Sequence, residues 1–233
     1  MTTTLITGAT KGLGYEAARR LLALGHTVHL GVRDAARGEQ AAAALGVGAH
    51  VLLLDVSDEE SVHAAAARLA EQVDHLDVLV NNAAIVGTRS AVADTTADDL
   101  REAYETNVLG AVRTVHAFLP LLRASEAPVI VNVGSGLGSL ARTTDPERME
   151  SQLHNLAYTS SKAALTMLTV QYAKAFPELR INIVDPGYTA TDLNGHQGTQ
   201  TVEEGTDAIV AMACIGPDGP SGTFTDRLGP VAW

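Results

Sequence analysis

The sequence predicts an α/β fold in which a single, doubly wound parallel sheet is covered by helices on both faces. Short runs of β-branched residues alternate with longer, Ala/Leu-rich amphipathic stretches, and the short runs are apolar on both faces. Strands of this kind lie inside parallel sheets, and the helices between them form the crossover connections. No linker, repeat or low-complexity segment divides the chain, so we expect residues 1–233 to form one Rossmann-like domain.

The predicted elements alternate from the N-terminus onward. Gly25 ends the first helix, and Ser57 caps the third helix, which has acidic residues in its first turn. A Gly/Pro-rich tail follows the last helix. The predicted strands are 3–7, 26–32, 51–54, 76–80, 129–133 and 180–184, and the predicted helices are 13–24, 35–45, 57–73, 100–122, 157–176 and 202–214.

Composition and charge exclude several classes of protein. The chain has 46% hydrophobic and 18% charged residues, enough to bury a sizeable core. Its net charge of −11 opposes binding to nucleic acid or to an anionic membrane surface. A single cysteine, Cys214, excludes an intramolecular disulfide and a Cys-rich zinc site. With no secretory signal and no apolar run long enough to span a bilayer, a cytoplasmic protein is expected.

A glycine-rich turn joins the first predicted strand to the first helix. It reads TGATKGLG at 7–14, with spacing G-x-x-x-G-x-G. Glycines let backbone amides approach a pyrophosphate, which then lies at the positive N-terminus of a helix. The turn therefore predicts a dinucleotide site. Its candidate cofactor-binding residues are Gly8, Thr10, Lys11, Gly12, Leu13 and Gly14.

The end of the second strand indicates which dinucleotide is bound. NAD-binding sites place an acid there to bind the ribose 2′-hydroxyl. Here Arg33 occupies the region of a 2′-phosphate, and Lys11 lies in the glycine turn. These two cations favour NADP(H), because a phosphate requires charge-assisted donors. The preference reverses if Asp34 points inward in place of Arg33, and Arg37 lies either near the phosphate or on a solvated helix face.

Tyr158 and Lys162 are four residues apart in a predicted helix and so share one face. An ammonium beside a phenol is expected to lower the pKa of the phenol, making it a proton donor near neutral pH. Ser135 follows the fifth strand, at the sheet edge where a dinucleotide would lie. Its hydroxyl is suited to donate a hydrogen bond to a substrate carbonyl.

Together these motifs resemble the short-chain dehydrogenase/reductase family over essentially the whole chain. The tail from residue 203 to 233 is most similar to the NADPH-dependent carbonyl reductase branch. The matching features, in the order that the family has them, are TGATKGLG at 7–14, Asp55 after the third strand, NNAA at 81–84, Asn107, Ser135, Tyr158 with Lys162, and DPG at 185–187.

The resemblance implies an enzyme that reduces a ketone or aldehyde to an alcohol with NADPH. It implies that Tyr158 is the general acid and that Lys162 holds the nicotinamide ribose. Ser135 would orient the carbonyl, and Asn107 would hold a water in a proton relay to Lys162. The further implied contacts are Asp55 and Val56 at the adenine, Asn82 at the adjoining ribose, and Pro186, Gly187, Tyr188 and Thr189 at the nicotinamide carboxamide.

Two features depart from the family pattern. Ala84 stands where the family usually has glycine, and Ser135 and Tyr158 are 23 residues apart, about ten more than in the simplest members. Within the added segment, Asp145 as N-cap and Pro146 at the first helical position predict a short helix around 145–154. By resemblance to a longer insertion that covers oligomerisation faces, a monomer is expected, with a dimer as the alternative.

Other functions receive less support from the residues. An NAD-dependent alcohol dehydrogenase conflicts with Arg33 and Lys11, and a non-catalytic NADP-sensing protein has no need of Tyr158 as an acid. The serine motif lacks the G-x-S-x-G spacing of an α/β hydrolase. His26 and His29 would point to opposite faces of a strand, so no metal site is predicted. The expected partner is a small carbonyl compound.

Overall fold

The computed structural model describes residues 1–233 and contains one eight-stranded sheet. The strands are β1 (Thr3–Thr7), β2 (Thr27–Val32), β3 (Ala49–Leu53), β4 (Val78–Asn81), β5 (Val129–Val133), β6 (Arg180–Val184), β7 (Phe224–Asp226) and β8 (Gly229–Pro230). Their order is β3-β2-β1-β4-β5-β6-β7-β8, and all neighbours are parallel except β7 and β8. The predicted parallel α/β architecture is confirmed.

Helices cover both faces of the sheet. They are α1 (Gly12–Ala23), α2 (Ala35–Leu45), α3 (Glu59–Ala70), α4 (Ala97–Tyr104), α5 (Gly110–Arg123), α6 (Leu140–Thr144), α7 (Leu156–Ala175) and α8 (Val202–Ala213). Leu21, Ala41 and Ile209 bury α1, α2 and α8 against one face. Val62 and Phe118 bury α3 and α5 against the other, where Tyr172 of α7 also packs. No helix combines the length and the apolar character that crossing a membrane requires.

The strand order reverses between β1 and β4. From β1 the chain first adds β2 and β3 on one side, and then β4, β5 and β6 on the other. The connections that follow β1 and β4 therefore diverge and leave a crevice at their carboxyl ends, where open α/β sheets bind ligands. This crevice receives the glycine turn from β1 and the segment after β4.

Two predicted helices have different starts, and the tail contains two strands that were not predicted. Asp58, and not Ser57, caps α3: its carboxylate accepts the Glu60 N–H at 3.0 Å, because the Ser57 hydroxyl already donates to Asp55 at 2.6 Å. The helix predicted at 100–122 begins at Ala97 and is interrupted by a π-helical turn, Glu105–Leu109. The tail forms β7 and β8, which are too short to show a strand pattern.

The helix predicted at 145–154 is wrong. Helix α6 ends just before this segment, and the segment itself contains only a 3₁₀ turn, Met149–Gln152. Asp145 ends α6, and its carboxylate accepts the Glu147 N–H at 3.0 Å, which closes a turn. Met149 and Leu153, the two residues of the expected apolar face, remain 52% and 46% exposed. A helix this short is not stable without burial of such a face.

Candidate active site

The turn between β1 and α1 is shaped for close approach of a ligand. Gly8 and Gly12 have φ of +68° and +56°, the region that favours glycine. A Cβ on Gly14 would lie 2.5 Å from Asn82 Nδ2 and 2.7 Å from the Gly8 carbonyl oxygen. No side chain caps α1, so its first N–H groups are available to a phosphate.

Asn82 supports this turn from the neighbouring strand. Its Nδ2 donates to the carbonyl oxygen of Thr7 at 2.8 Å and to that of Gly8 at 3.2 Å. The sequence resemblance placed Asn82 at a ribose; in the structure its amide holds the glycine turn while the residue also lines the adjoining cavity. Asn82 therefore shapes the turn as well as the wall of the site.

The side chains at the end of β2 explain the preference for a phosphorylated dinucleotide. Arg33 and Arg37 are exposed and line the cavity. The Asp34 carboxylate accepts the Arg37 N–H at 3.1 Å and caps α2, and it lies 3.5 Å from Arg37 Nε. Asp34 also lines the cavity, but its carboxylate is engaged by the N–H and the guanidinium of Arg37, and the two arginines outnumber it in charge at this end. The cations fit the 2′-phosphate of NADP(H).

Lys11 makes a different contact from the one expected. Its Nζ lies 2.5 Å from Asp192 Oδ2, across the mouth of the cavity from Arg33. His196 Nε2 is 2.7 Å from the other oxygen of the same carboxylate. Lys11 and His196 lower the pKa of Asp192 by hydrogen bonding and charge. A bound phosphate would compete with Asp192 for the Lys11 ammonium.

One cavity of about 800 Å³ connects the glycine turn with the middle of the sheet edge, in the size range of cofactor and ligand sites. Asp55 lies in its wall, where its carboxylate accepts the N–H of Ser57 at 2.9 Å. Gly14, Asn107, Ser135, Gly187 and Thr189 do not line it. The predicted site residues that do are Gly8, Thr10, Lys11, Gly12, Leu13, Arg33, Asp55, Val56, Asn82, Tyr158, Lys162 and Pro186.

Tyr158 and Lys162 lie on successive turns of α7 at the far end of this cavity. Lys162 Nζ is 5.6 Å from the centre of the Tyr158 ring and donates to the Val133 carbonyl oxygen at 2.8 Å. Asn155 caps α7, and its Oδ1 accepts the Tyr158 N–H at 2.8 Å. Lys162 is 2% exposed. The end of β5 therefore fixes the Lys162 side chain, and the helix cap fixes the backbone of Tyr158.

The pKa values of this pair are set mainly by burial. Burial raises the pKa of Tyr158 to about 12, although the Ser135 hydroxyl acts in the opposite direction. Burial also lowers the pKa of Lys162 to about 8. The expectation of a lowered phenol pKa is therefore wrong, because burial is the largest influence on this group and it disfavours the charged phenolate. The phenol is protonated at neutral pH and can donate that proton.

Asn107 lies in the π-helical turn that precedes α5. Its Nδ2 donates to the Ile85 carbonyl oxygen and to Ser161 Oγ, both at 2.9 Å, and its Oδ1 accepts the Ile85 N–H at 2.9 Å. A small cavity of about 10 Å³ lies between Asn107 and Lys162, close to the ~10–15 Å³ that one water needs. Asn107 has no direct contact with Lys162, but both residues line this cavity.

The segment after β6 differs in detail from the expectation. The Thr189 hydroxyl donates to the Pro186 carbonyl oxygen at 2.8 Å, and Thr189 is 5% exposed. Thr191, two residues further on, lines the cavity beside Gly12. Sequence reasoning missed Thr191, because two threonines two residues apart in an extended segment share a face and the sequence does not show which of them reaches the cavity.

Comparison with known proteins agrees with this geometry. The model of the family described as short chain dehydrogenase matches residues 2–201. A (+)-neomenthol dehydrogenase from Capsicum annuum is 30% identical and is matched over 96% of this chain and 95% of its own. The NADPH-bound carbonyl reductase from chicken fatty liver has 28% identity and a TM-score of 0.88, covering 100% of this chain and 99% of its own.

A second solved structure extends the comparison. Salutaridine reductase from Papaver somniferum has 26% identity and a TM-score of 0.85, over 97% of this chain and 99% of its own. The match to the family model covers most of the chain, from the glycine turn through α7 to the segment after β6. By these observations the chain belongs to the short-chain dehydrogenase/reductase family.

Proposed function

We propose that this protein reduces the carbonyl group of a ketone or aldehyde to an alcohol with NADPH. The observation that carries the proposal is the single cavity that has the glycine turn with Arg33 and Arg37 at one end and Tyr158 with Lys162 at the other. The relatives whose names describe a carbonyl reductase, a salutaridine reductase and a neomenthol dehydrogenase support carbonyl and alcohol chemistry.

The residues present fit the cofactor. The glycine turn admits a pyrophosphate where a Cβ would collide, and Arg33 and Arg37 suit the 2′-phosphate. Residues of the segment after β6, among them Pro186 and Thr191, would hold the nicotinamide end. When bound, NADPH supplies the hydride that adds to the carbonyl carbon.

The chain's own residues supply the proton and the orientation. Tyr158 donates its phenolic proton to the carbonyl oxygen, which completes the alcohol and leaves a phenolate. The Ser135 hydroxyl, which already acts on the Tyr158 phenol, donates a hydrogen bond that orients the same oxygen. The Lys162 ammonium, 5.6 Å from the ring, stabilises the phenolate. Asn107 and the small cavity beside it would carry a proton from solvent toward Lys162, to replace on the phenolate the one that left with the alcohol.

Two alternative functions predict different measurements. An NAD-dependent alcohol dehydrogenase would use NAD(H) at least as well as NADP(H), which the cations at the end of β2 oppose. A non-catalytic NADP-sensing protein would bind nucleotide without turnover. It would not need Tyr158 and Lys162 positioned at the far end of the nucleotide cavity.

The test measures NADPH oxidation with aromatic ketones, quinones and β-keto esters, for the wild type and for Tyr158→Phe. Phenylalanine keeps the ring and removes the proton, so we expect turnover to fall by about 10²–10⁴-fold while NADPH affinity stays within a factor of about two. Undiminished turnover by Tyr158→Phe refutes the acid. Wild-type NADPH binding with no turnover on any carbonyl compound favours the sensing protein.

We also propose a cytoplasmic monomer that acts on a small carbonyl compound. The segment between Ser135 and Tyr158 packs onto its own chain through Arg142, which pairs with Asp185 and Asp226. A segment engaged in this way covers the sheet end without a second subunit. Sedimentation analysis tests the proposal: a single species of about 24 kDa supports it, given the chain mass of 24.3 kDa, and a stable dimer or tetramer refutes it.

A further inference from the structure

A buried cluster of charged side chains lies behind the catalytic residues. Arg142 of α6 donates to Asp185 Oδ2 at 2.7 Å and to Asp226 Oδ2 at 2.6 Å, and Glu150 Oε1 lies 3.6 Å from the same guanidinium. The side chains of Arg142 and Asp185 are 14% and 6% exposed. The cluster therefore joins the segment after Ser135 to the ends of β6 and β7.

Asp185 holds the central position because its carboxylate touches two turns of the active site. Its Oδ1 accepts the Gly187 N–H at 2.9 Å. A Cβ on Gly136 would lie 2.9 Å from its Oδ2, and the Gly136 N–H stabilises the charged carboxylate. One side chain thus connects the turn that follows Ser135 with the Pro186–Gly187 turn.

We propose that Asp185 is a positioning residue for carbonyl reduction: its buried carboxylate fixes the Ser135 turn against the Gly187 turn and places a negative charge behind Tyr158 and Lys162. The inference rests on the proposed roles of Tyr158 and Lys162. It adds a negative charge that the proposed roles of Tyr158 and Lys162 do not require. Arg142, which lies in the added segment between Ser135 and Tyr158, pairs with this charge.

The charge of Asp185 acts in the same direction on both catalytic groups. It raises the pKa of Tyr158, because it opposes the phenolate, and it raises the pKa of Lys162, because it favours the ammonium. Both effects retain protons in the site, which is the state that reduction requires.

Asp185 is itself subject to opposing influences. The pKa of Asp185 is raised overall, by burial above all and also by Asp226, whereas the Gly187 and Gly136 N–H groups and Arg142 lower it. The Arg142 guanidinium, 2.7 Å from Oδ2, favours the charged carboxylate on which the proposal depends. The charged and titratable groups around it are Arg142 of α6, Arg148 just before the 3₁₀ turn, Glu150 of that turn, Asp226 of β7, and Tyr158 and Lys162 of α7.

The experiment compares Asp185→Asn with Asp226→Asn. Both variants replace a buried carboxylate that pairs with Arg142, but Asp226 does not contribute to the pKa of Tyr158 or Lys162. The chain has three lysines, Lys11, Lys162 and Lys174, so the Lys162 ammonium can be titrated by NMR of lysine labelled with ¹³C at Cε, in the nucleotide-free protein. Lys162→Met assigns its signal.

We expect Asp185→Asn to lower the titration midpoint of Lys162 by about half a pH unit or more, because it removes one negative charge whose effect on Lys162 is only partly screened. The basic limb of the pH profile of kcat for reduction should move to lower pH with it. Asp226→Asn should leave the Lys162 midpoint within about 0.2 unit. If Asp185→Asn does not fold, Asp185→Ser removes the same charge with a smaller side chain and carries the same expectation.

An unchanged Lys162 midpoint in Asp185→Asn, or an equal shift in Asp226→Asn, overturns the inference. The NMR titration needs no turnover, so it separates the two proposals. Full activity of Tyr158→Phe refutes the catalytic role on which the inference rests, whereas an unmoved Lys162 midpoint refutes only the role of Asp185.

Discussion

The substitution Gly14→Ala sets helix propensity against packing at the start of α1. Gly14 is the third residue of α1, where alanine normally stabilises a helix by about 0.5–1 kcal/mol relative to glycine. The structure predicts the opposite sign. The new Cβ would lie 2.5 Å from Asn82 Nδ2 and 2.7 Å from the Gly8 carbonyl oxygen, well inside an ordinary contact, which starts at 3.4 Å.

The size of the effect follows from the groups that must move. Overpacking of a buried site costs about 1–3 kcal/mol. The Asn82 amide gives up one or both of its bonds to the Thr7 and Gly8 carbonyl groups, at about 0.5–1.5 kcal/mol each. After the propensity gain, we expect a net loss of about 2–3 kcal/mol in the free energy of unfolding. For a chain of this size the loss lowers Tm by roughly 5–10 °C.

Thermal unfolding and NADPH fluorescence titration measure the two consequences. Because the displaced turn is the one that receives the pyrophosphate, we expect NADPH affinity to fall by about tenfold or more. Gly216→Ala is the matched control, since a Cβ there meets no atom within 4 Å. It should leave both quantities nearly unchanged. A Gly14→Ala variant with the stability and NADPH affinity of the wild type contradicts the assignment of this turn.

Further predictions concern the cofactor cations and one buried histidine. Arg33→Ala should raise the KM for NADPH by about 10–100-fold and leave that for NADH nearly unchanged in steady-state assays, since only NADPH carries the 2′-phosphate; equal effects count against the assignment. Asp192→Asn frees Lys11 for the nucleotide and should tighten NADPH binding by about two- to fivefold at low salt; weaker binding would show that Lys11 does not contact it. His29 is 3% exposed, its ring nitrogens have no partner, and burial lowers its pKa to about 4. Unfolding therefore takes up a proton at this residue at acid pH, so the contribution of His29 to stability is constant above about pH 6.5 and falls by up to about 3 kcal/mol toward pH 4. Urea unfolding across this range checks the trend, which His29→Phe should weaken.

Strong local patterns made much of the fold predictable. The buried strands β1, β4, β5 and β6 are short runs rich in β-branched residues, and the intervening helices are long enough for their periodicity to show. The same criterion failed where elements are short. β7 and β8 contain three and two residues, and the helix predicted at 145–154 had favourable local residues but no core to pack against.

The candidate site divides along the same line. The glycine turn, Arg33, and the spacing of Tyr158 and Lys162 are local features, so the residues themselves indicate a dinucleotide and a proton donor. Whether Arg33 or Asp34 determines the nucleotide preference could be judged only from the structure, in which the Asp34 carboxylate caps α2. Likewise, only the structure shows that Thr191 lines the cavity whereas Thr189 is buried.

By its order of residues alone, this chain determined its α/β class, its nucleotide turn and the residues suited to move a proton. Tertiary structure decided the protonation of those residues: burial, and not the neighbouring ammonium, dominates the pKa of Tyr158. It also decided the placement of Asp185 between two active-site turns and opposite Arg142, 43 positions away in the chain. Solvation and charge act through space, and the fold alone sets the distances between residues far apart in sequence.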